Sequence, residues 1–208
     1  GATDARVNAT GIEDATAAHL HQAFGGSNGP VVVGLERDTA NPGLWRSNGA
    51  TLTATQVTGL RDGGFYANVH TAAAPAGLIR GQILPPNVQM VVTHLNGSQA
   101  VPAVTTPDTA RATTTVNLGT SRLTTHVNIT GLGNATEAHI HAGARGIAGA
   151  VAIPLTLDAA NQRWSATNVL LTAAQLNAWR SGTLHIDVHT PANPAGEVRG
   201  QLELAGVT

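Results

Sequence analysis

The chain has 208 residues, of which 42% are hydrophobic, 3% aromatic and 11% charged, and its formal net charge is −1. Its 11 basic residues are all arginines and form no cluster in the sequence, so nucleic acid is excluded as an expected partner. The lack of cysteine excludes disulfides and thiolate metal sites, and no apolar stretch approaches the roughly 18–20 residues that a membrane span needs.

An internal repeat organises the chain. Residues 6–12 match residues 126–132, and Trp45, Gln56 and His70 match Trp164, Gln175 and His189 in the same order. Such a long period is typical of duplicated domains rather than of a solenoid. Consecutive prolines stop a strand and stiffen a linker, and a Pro-Pro pair follows the first copy. We therefore predict two domains, residues 1–86 and residues 87–208.

In the first copy, the stretch Ala18-His19-Leu20-His21 alternates apolar and polar residues. This alternation predicts a strand with Leu20 toward the core and both histidines on the opposite face. Thr53 and Gln56 have the spacing of a capping box, which predicts one short helix. The next predicted strand, residues 65–70, carries His70 on its polar face. If this strand lies beside the first, three imidazoles converge.

The second copy repeats the same order with more strands before it. His139-Ile140-His141 and His189 occupy the matching places, and Thr172 begins a second predicted helix. Runs rich in Thr, Val and Ile predict strands over residues 89–95, 110–118, 123–130, 137–142, 150–157, 163–170, 184–190 and 197–204. The fold class is therefore all-β: two tandem antiparallel Greek-key β-sandwiches or flattened barrels, each with one short helix.

The histidines are the strongest chemical signal in the sequence. Three neutral imidazoles suit copper or zinc, and the Irving–Williams order favours copper, with zinc as the alternative. The predicted ligands are His19, His21 and His70 in the first copy and His139, His141 and His189 in the second. His185 and Asp187 share a strand face with His189 and are candidate extra ligands at the second site, where the first copy has Tyr66 and Asn68. No catalytic residue is assigned, because no nucleophile elbow or phosphate-binding loop occurs.

Several motifs together resemble the CHRD domain, the repeat named for chordin. They are Leu95-Asn96-Gly97, Gly131-Leu132, Ala138-His139-Ile140-His141, Asp187-Val188-His189-Thr190 and Gly196-Glu197-Val198-Arg199-Gly200-Gln201. The resemblance implies a β-sandwich that is secreted to the extracellular space or the cell surface. Four Asn-X-Ser/Thr triplets, which would accept N-glycans in an exported protein, are at Asn8, Asn96, Asn128 and Asn134.

The chain is more weakly similar to copper–zinc superoxide dismutase, a Greek-key barrel with copper on a His-X-His pair and a later histidine. That resemblance implies copper at His139, His141 and His189, and likewise at His19, His21 and His70. Residues 142–149 contain no bridging histidine and no zinc ligands. We therefore expect weak or no superoxide dismutation.

Three classes of function remain open from the sequence. The favoured one is a metal-binding structural or assembly module. The alternatives are a copper-dependent redox enzyme of the dismutase kind and a plain interaction module whose histidines are incidental. Metal analysis separates the last class from the other two, and a superoxide assay on copper-loaded protein separates those two.

The first copy also lacks counterparts of the first two strands. Residue 1 aligns with residue 121, so nothing matches residues 89–95 and 110–118. An incomplete sheet exposes unpaired backbone groups that a strand of another chain can satisfy. We expect self-association by strand complementation, in a dimer or a filament. The alternatives are loss of the segment by cleavage and a smaller sandwich that is stable by itself.

Overall fold

The computed structural model describes residues 1–204. The chain divides into two compact units, Gly1–Val88 and Gln89–Thr208, called unit 1 and unit 2 below. The sequence predicts the boundary between residues 86 and 87, and the division between the units lies two residues later. Within residues 1–204, no helix has the length and apolar character needed to span a bilayer.

Unit 1 is a curled antiparallel sheet with one helix. Its strands are β1 (Ala2–Thr3), β2 (Arg6–Asn8), β3 (Ala15–Gln22), β4 (Val31–Arg37), β5 (Leu44–Arg46), β6 (Ala50–Thr51), β7 (Phe65–Thr71) and β8 (Ile79–Ile83), and its helix is α1 (Ala54–Arg61). Six strands form one sheet in the order β2-β5-β4-β3-β7-β8, and β1 pairs separately with β6.

Unit 2 has the same plan with additional strands. These are β9 (Val88–Asn96), β10 (Thr109–Asn117), β11 (Arg122–Asn128), β12 (Glu137–Ala142), β13 (Ala150–Pro154), β14 (Thr156–Asp158), β15 (Arg163–Leu170), β16 (Leu184–His189) and β17 (Val198–Leu202), with helix α2 (Ala173–Arg180). They form a nine-stranded sheet in the order β13-β12-β16-β17-β9-β10-β11-β15-β14. The all-β prediction with one helix in each copy is confirmed.

Residues 150–157 differ from their prediction as one strand. β13 pairs with β12, whereas β14 pairs with β15, and the change of partner falls at Leu155, whose N–H donates to the carbonyl of Ala138. In unit 1 the continuous strand β4 pairs with both neighbours. Pro154 has no N–H to continue the ladder, and the chain changes partner directly after it.

Both helices begin as the sequence predicts. Thr53 and Thr172 each accept a hydrogen bond from the backbone N–H three residues on, and the side chains of Gln56 and Gln175 accept one from the cap N–H in return. At the N-terminus of each helix, two backbone N–H groups that have no partner within the helix are thereby hydrogen-bonded.

Each unit has its own apolar core, which the alternating strand residues supply. In unit 1 the core includes Leu20, Trp45 and Phe65. In unit 2 it includes Ile140, the counterpart of Leu20, and Trp179 from α2. Since Leu20 and Ile140 point inward, their flanking histidines point to the other face of the sheet.

The edges of the two sheets differ. In unit 2, β9 and β10 lie between β17 and β11, and every residue of β17 is buried. In the sheet of unit 1, β8, the counterpart of β17, is one end, and β2, the counterpart of β11, is the other. β8 is accordingly exposed at Ile79, Arg80 and Gly81.

Candidate metal centre

In unit 1 the strand that carries the third histidine lies beside the strand that carries the first two. β3 and β7 are antiparallel, with His19 opposite Asn68 and Ala17 opposite His70. Opposite residues share a face of the sheet, so His70 lies diagonally across from His19. Nδ1 of His19 is 3.1 Å from Nε2 of His70, and one nitrogen from each of these residues and His21 lies within 4.8 Å of the others.

Unit 2 has the same geometry. β12 and β16 are antiparallel, with His139 opposite Asp187 and Glu137 opposite His189. Nδ1 of His139 is 3.2 Å from Nε2 of His189, and the nitrogens of these two residues and His141 again lie within 4.8 Å of one another. The structure therefore brings together both predicted sets of three histidines, which we call the histidine triads.

Backbone carbonyls fix the tautomers of two histidines in unit 1. Nδ1 of His21 donates to the carbonyl of Gly29 at 2.9 Å, and Nδ1 of His70 donates to the carbonyl of Pro75 at 2.9 Å. A carbonyl oxygen can only accept, so each Nδ1 carries the proton and the neutral ring has its lone pair on Nε2. Nε2 of His70 lies beside Nδ1 of His19 in the triad, and Nε2 of His21, buried without a hydrogen-bond partner, is the ring nitrogen that His21 has left to contribute.

The same carbonyl contacts recur in unit 2. Nδ1 of His141 donates to Gly149 at 3.3 Å, and Nδ1 of His189 donates to Pro194 at 3.1 Å. The sequence analysis missed these orienting residues. The repeat contains a signal for them. A glycine stands eight residues after both His21 and His141, and a Pro-Ala-Gly sequence begins five residues after both His70 and His189. Such contacts fix the ring orientation of metal-binding histidines.

The triads are less exposed than the sequence analysis implied. His21 and His189 are each only 8% exposed, although both lie on the face that the alternation predicted to be polar. The loops that supply the orienting carbonyls cover this face, and Tyr66 stacks on His21 with ring centroids 4.8 Å apart. The two predicted extra residues of unit 2, His185 and Asp187, are buried beside the triad.

The electrostatic environment keeps several of these rings neutral. Burial is the largest cause that lowers the pKa of His19, His139 and His141 below the ordinary value of about 6.5. Repulsion from His70 and His189, respectively, lowers the pKa of His19 and His139 further. Neutral imidazole is the form that binds a metal ion.

Each triad could hold a single metal ion. Nitrogens that share an ion at about 2.0–2.1 Å each lie roughly 3.0–3.5 Å apart, and one pair in each triad has this separation. Nε2 of His21 and Nε2 of His141 are buried with no hydrogen-bond partner. A buried polar atom without a partner is costly, and coordination to a metal ion would satisfy both nitrogens.

Fold and site together define a tandem β-sandwich protein with one histidine triad in each unit. The chain belongs to the CHRD domain family, whose model matches residues 2–83 and 91–202. CHRD domains occur in extracellular proteins, and two in tandem indicate an extracellular interaction module. Comparison with curated proteins finds no match.

Proposed function

We propose that this is a secreted or cell-surface protein that binds one copper ion in each CHRD unit and acts as a structural module for assembly. The observation that carries the proposal is the double triad. In each unit, two carbonyl-oriented Nε2 atoms and one Nδ1 atom converge, and one of the Nε2 atoms is buried without a partner.

The choice of copper follows from ligand chemistry. Imidazole suits copper and zinc alike, and divalent copper binds a given nitrogen site more tightly than zinc does. Zinc is therefore the alternative occupant where copper is scarce. When bound, the ion would crosslink two neighbouring strands of each sheet and stabilise the folded form.

Removing one histidine from each triad should abolish stoichiometric copper binding. We expect the wild-type chain to bind two copper ions, His21→Ala and His141→Ala to bind one each, and the double variant to bind none. These residues supply the Nε2 atoms that lack a partner. The measurement is a copper titration of untagged protein followed by elemental analysis. His94→Ala, an exposed histidine outside both triads, is the matched control. Unchanged stoichiometry in the double variant would refute the proposal.

Copper affinity should also depend on pH in a definite direction. Because the pKa values of His19, His139 and His141 lie below about 6.5, these rings remain neutral at pH 7. Protons compete with the metal only as the pH falls further, so binding should weaken on acidification below about 6.5. The test is to repeat the copper titration at several pH values from about 7.5 down to about 5. A copper affinity that rises on acidification would contradict the prediction.

The assembly role is supported by the open sheet edges of unit 1. Ile79 on β8 is 48% exposed, whereas its counterpart on β17, Val198, is 0% exposed beneath the additional strands of unit 2. A second copy of this chain carries complementary edges of its own. Pairing of β8 with β2 of the next copy would give an open filament, whereas pairing of β8 with β8 would give a closed dimer.

We expect the wild-type protein to self-associate in a concentration-dependent way, and Ile79→Lys to shift it toward the monomer. A charge on an exposed edge strand opposes strand addition because it would be desolvated in the pair. Sedimentation velocity measures the outcome. Leu170→Lys, which changes an apolar residue 63% exposed on β15 of unit 2 and away from the edge strands of unit 1, is the control. A wild-type protein that sediments as a monomer at every concentration would eliminate the assembly role and leave the metal-binding module alone.

A further inference from the structure

Unit 2 contains a second group of metal-ligating side chains next to its triad. Asp187 and His185 lie on β16 opposite His139 and His141, respectively. Oδ2 of Asp187 is 3.4 Å from Nε2 of His185 and 4.0 Å from Nε2 of His141. His185 is 0% exposed and Asp187 is 6% exposed, so solvent is largely excluded from both side chains.

This group, the unit 2 cluster of His141, His185 and Asp187, is rich in lone pairs. Nδ1 of His185 donates to the carbonyl of Gly143 at 3.1 Å, as Nδ1 of His141 donates to Gly149, so both neutral rings have their lone pairs on Nε2. Neither Nε2 has a hydrogen-bond partner, and Oδ1 of Asp187 has none either. A buried carboxylate oxygen without a donor is unfavourable. Arg199 lies opposite Asp187 on β17 and interacts with its charge, and a metal ion beside Oδ1 would supply the partner that this oxygen still lacks.

The cluster and the triad share one donor atom. Nε2 of His141 belongs to both groups, and a neutral ring has only one lone pair on that nitrogen. Two ions cannot use it at once, so the groups cannot act as two independent sites. A single ion that contacts the triad can instead be joined by the nearby carboxylate.

We propose that Asp187 is a fourth ligand of the metal ion in unit 2, so that the two units contain different sites. Unit 2 then has three imidazoles and a carboxylate, a closed set of four ligands. Unit 1 has three imidazoles and an open position. The inference rests on the proposed metal-binding function and adds that the unit 2 site binds a divalent ion more tightly.

Unit 1 shows what the site is without the carboxylate. Asn68 replaces Asp187, and its Nδ2 donates to the carbonyl of Ala76 at 3.2 Å. Tyr66 replaces His185 and stacks on His21 in the same way that His185 stacks on His141, while its hydroxyl accepts the N–H of Gly29 at 3.3 Å. Both replacements are neutral and already hydrogen-bonded, so they add no ligand. They also show that Asn and Tyr fit at these positions of the fold.

The test compares each site in isolation. His21→Ala leaves only the unit 2 site and His141→Ala leaves only the unit 1 site, and Zn(II) affinity is measured in each by chelator competition. We expect the unit 2 site to bind at least about tenfold more tightly, in the range that supporting groups around a metal contribute. Asp187→Asn in the first background should remove that difference. Asn68→Asp in the second background should tighten binding and provides a gain-of-affinity test.

Cobalt(II) absorption in the same backgrounds provides a readout of ligand identity that is independent of affinity. We expect the visible bands of the unit 2 site to change position and intensity on Asp187→Asn, because water would take the fourth position in place of the carboxylate. Equal affinities for the isolated sites, or an Asp187→Asn variant with unchanged affinity and spectrum, would overturn the inference while leaving the metal-binding proposal intact. An effect of Asp187→Asn on thermal stability alone would also overturn it, because Asp187 would then contribute to the fold and not to the metal site. The absence of binding in both backgrounds would refute the metal-binding proposal itself.

Discussion

Trp179→Ala should lower the free energy of unfolding of unit 2 by about 3–5 kcal/mol, the usual cost of deleting a large buried aromatic side chain. Trp179 is 1% exposed and joins α2 to the core. Its Nε1 also donates to Oε1 of Gln89 at 2.8 Å, so truncation leaves a cavity and an acceptor without its donor. Chemical denaturation followed by circular dichroism measures the change.

The repeat supplies the control for this substitution. Leu60 holds the same place in α1 but is only partly buried against the unit 1 core. Leu60→Ala removes fewer buried atoms and should cost less than Trp179→Ala. If the two substitutions were equally costly, α2 would contribute no more to its core than α1 does.

Local sequence patterns were sufficient for much of this fold. The strands 137–142 and 163–170 have the bounds that the alternation predicts, and both capping boxes form. These features depend on residues that are close in sequence, such as Thr172 and Gln175. The internal repeat added the equivalence of strands between the copies, because matching sequence segments are expected to form the same strands with the same neighbours.

The features that the sequence did not provide depend on contacts between distant segments. Whether residues 150–157 pair with one neighbour or two depends on where β15 lies in the sheet, and no local pattern contains that information. The burial of the triads depends on the same kind of contact. The alternation placed His21 and His141 on the polar face, and the loops ending at Gly29 and Gly149 determine how far that face is covered.

The choice of candidate metal ligands required both kinds of information. Spacing selected His139 and His141, and the strand register then placed Asp187 directly opposite His139. The sequence showed that His185 and Asp187 share the face of His189, but it could not show that Nε2 of His185 and Oδ1 of Asp187 are buried without hydrogen-bond partners. That property distinguishes a ligand candidate from an ordinary surface carboxylate.

The largest expected effect on metal binding outside the histidines belongs to Gly149→Ala, which should eliminate copper binding at unit 2 and leave unit 1 loaded. A Cβ at Gly149 would lie 2.1 Å from the carbonyl oxygen of Ala142, and the residue has a φ of +70°, a conformation that favours glycine. The backbone must therefore shift. The carbonyl of Gly149 accepts from Nδ1 of His141, so the shift releases the ring that supplies an Nε2 donor to the triad.

Gly146→Ala is the matched control, because it lies in the same loop with a φ of +75° and its Cβ would meet nothing within 4 Å. It shares the cost of an unfavourable φ, about 1 kcal/mol, but produces no clash beside His141. Copper stoichiometry should fall from two ions to one with Gly149→Ala and stay at two with Gly146→Ala. Gly29→Ala, whose Cβ would lie 2.0 Å from the carbonyl oxygen of Gln22, should have the corresponding effect on unit 1. Full occupancy of unit 2 in folded Gly149→Ala protein would mean that the carbonyl contact does not orient His141 for binding.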